Sequence, residues 1–259
     1  QTPAYIGAIS ARLLIELLAI GVLGYWWLFQ PRQALGAGRS WLLVHPLFVE
    51  LVLVAIAVTV VVEAAAQWWA VAWAVLALLL LSPLAQRVLD ARARLYSLLF
   101  YWVSVADMAA VMSTLEVPSP HWYDQPEFTS LVAIVLQVAY VAWAHRRLVL
   151  ADVAAPAPMR WLGRLGALVD RRRNLYVHYP LFAGVAVFLY WRFDRSLLTL
   201  LWAAEAFVVF VLSALLRENQ FRYVALAGLA ACLARLVLID MAQANLGLRG
   251  AVFIGVGSL

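Results

Sequence analysis

Apolar residues recur along this chain in continuous runs, and short polar segments separate one run from the next. A helix needs about 20 apolar residues to cross a bilayer, where it satisfies its own backbone polar groups. The runs do not alternate with a period of two, which favours helices over membrane strands. The predicted spans are 5–29, 44–62, 68–84, 95–115, 129–144, 175–191, 197–216, 223–239 and a last run, 251–259.

The expected fold class is therefore all-α: a polytopic transmembrane helix bundle of eight or nine spans. Composition agrees, with 66% hydrophobic residues, 13% charged residues and a mean hydropathy of +0.89. The first residue, Gln1, is not an initiator Met, and the last run is still apolar at Leu259. We expect the chain to be a segment of a longer protein, without a cleavable signal peptide.

The arginines alternate between successive loops and thereby predict a topology. The 19 basic residues are all arginine; 14 lie in the odd-numbered loops and three in the even-numbered loops. Cationic loops stay on the cytoplasmic side, so we predict a multi-pass bacterial inner-membrane protein with its N-terminus outside. The pI near 9.7 follows from this pattern and from attraction to anionic lipid headgroups. It does not indicate nucleic-acid binding.

The inner loop at 145–174 is longer than the others and has two parts. Ala-Ala-Pro-Ala-Pro at 154–158 cannot continue a helix. The segment 159–173 then places Trp161 and Leu165 on one face and Arg160, Arg164 and Arg171 on the other. This pattern predicts a helix lying in the interface, with these arginines contacting anionic lipid headgroups on the cytoplasmic side.

Two short patterns repeat along the chain. Val-His-Pro-Leu-Phe around His45 resembles Val-His-Tyr-Pro-Leu-Phe around His178, and Asp-Met-Ala occurs at Asp107 and again at Asp240. Both pairs are 133 residues apart. Four spans per unit is an even number, so a duplication predicts two parallel four-helix repeats, whereas short matches also arise by chance in Leu/Ala-rich sequence. The predicted organisation is a first span and inner loop (1–40), a first four-helix unit (41–144), an inner basic linker with the interfacial helix (145–174), and a second four-helix unit, incomplete at its C-terminus (175–259).

The second half carries Leu-Leu-Trp-Ala-Ala-Glu-Ala at 200–206, Leu-Leu-Arg-Glu-Asn-Gln-Phe-Arg-Tyr at 215–223, and Leu-Val-Leu-Ile-Asp at 236–240. Leu-Gly-Leu-Arg-Gly follows at 246–250. Residues 197–257 thereby resemble the hairpins of an uncharacterised family of large multi-span bacterial membrane proteins. The first half departs from the pattern, since Trp73-Ala74 is not followed by Glu. The resemblance implies a fold type and no mechanism.

Charged residues within the predicted spans need an explanation, because each costs about 2.5–3.5 kcal/mol near the bilayer centre. In one interpretation, the acids line a path for a proton, cation or small polar substrate, with an arginine as counter-charge. In the other, arginines and acids form buried pairs that fix helix register, and Asp107 is interfacial. The proposed path is Glu50, Asp107, Glu205 and Arg235, and the proposed buried pairs are Arg12 with Glu16 and Glu205 with Arg235.

His45 and His178 occupy like positions in the second and sixth spans. A neutral histidine at such a depth can be an axial ligand of haem or chlorophyll, but it is more often an interfacial side chain. The chain has four histidines and a single cysteine, Cys232, so neither a metal site nor a disulfide is expected. The phosphate-binding, dinucleotide and nucleophile-elbow motifs are absent from the sequence, so we expect no enzymatic activity and no cofactor.

Three functions remain open. The leading hypothesis is a transport-type protein that uses carboxylates in mid-membrane. The second is an accessory subunit that packs against other membrane subunits and performs no chemistry. The third is a subunit that binds haem or chlorophyll through the histidines.

Overall fold

The structure is a computed structural model, and it describes residues 5–6, 9–10, 18, 20–22, 45–83, 85, 92–114, 122, 125–148, 160–217, 219–235 and 254. Almost all of these residues are helical. The helices are α1 (His45–Glu63), α2 (Trp69–Leu81, preceded by a 3₁₀ turn at Ala66–Trp68), α3 (Arg92–Thr114), α4 (Pro126–Arg147), α5 (Arg160–Arg171), α6 (Arg173–Arg192), α7 (Arg195–Leu216) and α8 (Asn219–Arg235).

The prediction of an all-helical fold is confirmed for these segments, and the helix ends follow local sequence signals. Pro126 stands in the first turn of α4, where its missing N–H would have no partner in any case. Ser82 ends α2 in an extended conformation, directly before Pro83. Arg217 ends α7 in the left-handed region with φ 56°, and its N–H donates to the carbonyl of Ser213.

The beginning of the first predicted span is a correction. Tyr5–Ile6 and Ile9–Ser10 form a minimal antiparallel strand pair, in which Tyr5 is opposite Ser10. A helix from residue 5 is therefore wrong for these four positions. Aromatic and β-branched residues favour extended backbone, and Gly7, between the two segments, disfavours a helix.

Three helices among the described residues are long and apolar enough to cross a bilayer: Arg92–Ser113, Pro126–His145 and Leu197–Leu216. Ala66–Leu81 is a shorter apolar helix. Each predicted apolar run between 44 and 239 overlaps one of the helices α1 to α4 or α6 to α8.

Helix α3 lies at the centre of the packing, against α2, α4 and α6. Its Tyr101 is fully buried and stacks on Tyr140 of α4, with ring centroids 4.5 Å apart. Pro180 lacks an N–H and leaves the carbonyl of Tyr176, one turn before it, without its helical donor. Trp102 of α3 donates its Nε1–H to that carbonyl at 3.0 Å, and so joins α3 to α6.

Helix α6 connects the group formed by α2, α3 and α4 with the hairpin formed by α7 and α8. On one side it contributes Val177 and Leu181 to the core cluster of α2, α3 and α4, and on the other it packs against α7. Helices α7 and α8 form a hairpin with extensive contact along its length. Val169 of α5, which lies in the segment predicted as the inner linker, belongs to the same core cluster as Val177.

Candidate functional site

Glu50 of α1 is held by two residues one turn apart on α3. Arg92 donates from Nη1 to Glu50 Oε1 at 3.2 Å, and Tyr96 donates its hydroxyl to the same oxygen at 2.6 Å. The two charged side chains are only 16% and 17% exposed. Glu50 was predicted as part of an ion path, but this geometry is that of a charge-assisted contact that fixes α1 against α3. Arg92 was predicted to lie in a loop, so the sequence did not identify it as the partner.

Asp107 lies half-buried further along α3, and its Oδ2 has no hydrogen-bond partner among the described residues. One turn before it, Ser104 donates to the carbonyl of Ala70 at 2.7 Å and accepts from Gln137 Nε2 at 2.9 Å. Gln137 is fully buried, so this contact is a polar seam between α2, α3 and α4. Ser104 and Gln137 are uncharged, so neither was predicted from the charges within the spans.

Glu205 has a different environment. It lies at the middle of α7, half-buried, and its Oε1 is buried without a hydrogen-bond partner among the described residues. The residue lines two cavities. One, of about 370 Å³, lies between α6, α7 and α8 and is bordered by Gly228 and Cys232. The other, of about 640 Å³, lies between α4, α6 and α7 and is bordered by His145 and His178. We call this second cavity the histidine groove.

The predicted pair of Glu205 with Arg235 is not formed. The guanidinium of Arg235 instead lies over the ring of Trp202, with Cζ 5.2 Å from the ring centroid. No hydrogen bond or ion pair joins it to a carboxylate of a described residue. The indole is fixed in place by donating Nε1–H to the carbonyl of Ala186 at 3.1 Å. Trp202 precedes Glu205 by three residues on the same helix face, and its π-face takes the cation that was expected at the carboxylate.

His178 is buried, and its Nδ1 lies 2.9 Å from the carbonyl of Asn174, one turn earlier in α6. Its ring lies 6.4 Å from that of His145 and 5.4 Å from that of Phe221, measured between centroids. His145 was predicted to lie in the inner loop, but it is part of α4 and borders the histidine groove. Because His145 directly precedes Arg146 and Arg147 in the sequence, nothing in the sequence indicated that it borders a cavity.

The acids of the predicted path do not meet at one place. Glu50 and Asp107 line neither cavity that contains Glu205, whereas His178, predicted as a possible ligand, shares the histidine groove with it.

Within the described part of the chain, no three His, Cys, Asp or Glu side chains are grouped to hold a metal ion. Arg12 and Glu16, together with the side chains of His45 and Arg160, lie outside the described residues. Arg164 and Arg171 are exposed on α5, and their contact with lipid headgroups stays a prediction.

The chain matches no protein-family model, no curated protein and no solved structure. The resemblance of residues 197–257 to a family of multi-span proteins therefore stays a prediction. Function has to be inferred from the chemistry of Glu205 and the cavities beside it.

Proposed function

We propose that this chain is a multi-pass protein of the bacterial inner membrane, with eight or nine spans and its N-terminus outside, and that it moves a proton or a small cation by way of Glu205. One observation carries the proposal: a carboxylate at the middle of an apolar helix has a buried oxygen without a partner and faces two cavities. Glu50, in contrast, is held by Arg92 and Tyr96 and has a structural role in this proposal.

The physical argument rests on the cost of a charge in apolar surroundings. An ionised carboxylate without a partner is unfavourable there, and binding a proton or a cation removes that cost. A residue in this situation therefore exchanges its charge more readily than one in a formed ion pair. Intramembrane carboxylates of this kind mark ion pathways and proton relays in membrane proteins.

The histidine groove supplies a route to the carboxylate. By the predicted topology, His145 and His178 lie near the cytoplasmic ends of α4 and α6. Glu205 is 11 residues before the cytoplasmic end of α7 at Leu216, which corresponds to a depth of about 16 Å at 1.5 Å per residue. Histidine takes up and releases protons near neutral pH, so the two rings suit the mouth of a proton route.

The test is ion movement by the purified protein in liposomes that contain a pH-sensitive dye. A potassium diffusion potential with valinomycin drives protons inward. Without valinomycin, imposed sodium or potassium gradients test the two cations in the presence of a protonophore, because protons then move to balance the cation and the dye reports them. We expect a protein-dependent flux that Glu205→Gln abolishes, because glutamine keeps the size and hydrogen-bonding capacity but cannot ionise. Glu127→Gln, in the first turn of α4, is the matched control and keeps the flux.

An equal flux in the Glu205→Gln protein contradicts the proposal. The absence of any flux above that of empty liposomes contradicts it as well and favours the accessory-subunit alternative.

One observation supports that alternative: Phe207, Phe210 and Tyr223 present large exposed rings on α7 and α8. In a larger complex these rings would pack against another membrane subunit. Co-purification of such a subunit, lost in Phe207→Ala/Phe210→Ala protein, distinguishes the two functions.

A further inference from the structure

A polar cavity of about 360 Å³ lies where α5 ends and where α6 and α8 begin. Residues 170–175 border it from one side, and Gln220 and Phe221 of α8 border it from the other. We call it the arginine pocket. It is separate from both cavities that contain Glu205, so an inference about it is independent of the proposed ion path.

Charge is the first property of the arginine pocket. Arg171, Arg172 and Arg173 follow one another in its wall, and the acidic residue among its lining positions is Asp170. The formal balance of these four side chains is two positive charges. Arg171 and Arg172 are exposed, so their guanidinium groups are free to turn toward a bound anion. The pocket therefore favours an anionic ligand.

Arg173 is held in place for such a contact. Its Nη1 donates to the carbonyl of Leu148 at the end of α4, at 2.7 Å, which fixes the guanidinium between two helices. Its Nε is buried and has no hydrogen-bond partner among the described residues. A buried donor of a charged group without an acceptor is costly, so an acceptor is expected at this edge. The Nε and Nη2 edge of an arginine is a fork that matches two oxygens of one phosphate group.

The backbone adds to the positive electrostatic potential in the arginine pocket. Arg172 has φ −133° and ψ 39° and separates α5 from α6, and no side chain caps the first turn of α6. The first turn of α8 reaches the pocket through Gln220 and Phe221. The positive ends of two helices of 20 and 17 residues thus meet the same space, and helix N-termini are favourable positions for phosphate groups.

We infer that the arginine pocket is a phosphate-group site, with Arg172 and Arg173 as its principal ligands. Two sources offer this chemistry: free phosphate, and the phosphodiester of an anionic lipid headgroup. The exposed Arg164 and Leu168 of α5 belong to the predicted interfacial helix, so the pocket lies beside the expected position of the headgroups on the cytoplasmic side. The test separates the two sources.

Binding is measured calorimetrically with the purified protein in a neutral detergent, with inorganic phosphate and with dioctanoyl phosphatidylglycerol as separate probes. Sodium chloride keeps the ionic strength constant, because screening alone would weaken any contact between charges. We expect saturable binding of at least one probe, and a Kd at least tenfold higher in Arg172→Gln and Arg173→Gln protein. The matched control is Arg222→Gln, which removes one exposed arginine near the same end of α8 and outside the pocket, and we expect its Kd to change less than twofold.

Saturable binding of phosphate assigns the site to the free anion, and binding of the lipid alone assigns it to the headgroup. Either result supports the site if Kd rises as expected in the Arg172 and Arg173 variants and changes little in the Arg222 variant. Absence of saturable binding with both probes overturns the inference, as does an equal loss in all three variants, which would indicate general charge attraction. Arg173→Gln also removes the contact with Leu148, so Arg172→Gln decides the test if the Arg173 variant folds poorly.

Discussion

Glu50 and Glu205 are the same side chain on two apolar helices, and the structure surrounds them differently. Glu50 has an arginine and a tyrosine of α3 on its Oε1, while its Oε2 is buried without a partner among the described residues. Glu205 also has a buried oxygen without a partner, but no described cation pairs with it, and it borders two cavities. The comparison predicts that a carboxylate on an apolar helix stabilises the bundle where another helix brings a cation to it. Where no cation is brought, as at Glu205, we propose that the charge is available for exchange.

The largest expected effect comes from removing the partner of Glu50. Arg92→Gln leaves the carboxylate with Tyr96 alone, and we expect a loss of about 2–3 kcal/mol, below the range for fully buried pairs because both side chains are partly exposed. Glu205→Gln breaks no described ion pair, so we expect its stability to change by less than about 0.5 kcal/mol. Thermal unfolding in detergent measures both variants.

The Glu50→Gln/Arg92→Gln double variant is the control for this comparison. It removes both charges together, so we expect it to be more stable than Arg92→Gln protein. If Glu205→Gln destabilises the chain as much as Arg92→Gln does, Glu205 has a structural partner. That result would remove the basis of the proposed ion path.

A second prediction uses two glycines to compare how closely α3 and α6 are packed with how closely α7 and α8 are packed. A Cβ at Gly184 of α6 would meet Met108 Cε at 3.0 Å and Val105 Cγ1 at 3.1 Å, on α3. A Cβ at Gly228 of α8 would meet Ala206 Cβ at 3.4 Å, an ordinary contact. The gain in helix propensity is the same for both Gly→Ala changes. We therefore expect Gly184→Ala to be less stable than Gly228→Ala by about 1 kcal/mol, from overpacking.

The midpoints of thermal unfolding of the two alanine variants test this difference. Met108→Ala in the Gly184→Ala background provides space for the new methyl group and should reduce the difference. Equal midpoints for the two single variants would mean that α3 and α6 are packed no more closely than α7 and α8.

The apolar runs were sufficient to predict most helices, because continuous hydrophobic sequence bounded by Pro83, Pro126 or polar residues leaves little choice of secondary structure. They failed at Tyr5–Ile6 and Ile9–Ser10, where local extended preferences prevail over hydrophobicity. The number of spans and the duplication stay predictions. Helix packing brings together residues that are distant in sequence, and periodicity contains no information about that.

The candidate site was predictable only in part, for the same reason. Glu205 could be identified because a charge inside an apolar run is rare. Its surroundings could not be predicted, because His145 was assigned to a loop. The position of Arg173 was equally unpredictable, because it depends on the hydrogen bond from Nη1 to the carbonyl of Leu148, 25 residues earlier. The partner of Arg235 was also predicted wrongly. The prediction considered only opposite charges and therefore chose Glu205, whereas the guanidinium lies over the aromatic ring of Trp202.

The smallest expected effect concerns Arg235 and the choice between its two neighbours. If the guanidinium interacts with the ring of Trp202, a double-mutant cycle of Arg235→Gln with Trp202→Leu should give a coupling energy of about 0.5–1 kcal/mol. The parallel cycle of Arg235→Gln with Glu205→Gln should give less than about 0.3 kcal/mol, because no ion pair joins these two residues. Thermal unfolding in detergent supplies all the single and double variants. A larger coupling with Glu205 than with Trp202 would restore the ion pair expected from the sequence, and Glu205 would then resemble Glu50 in having a cation that holds it.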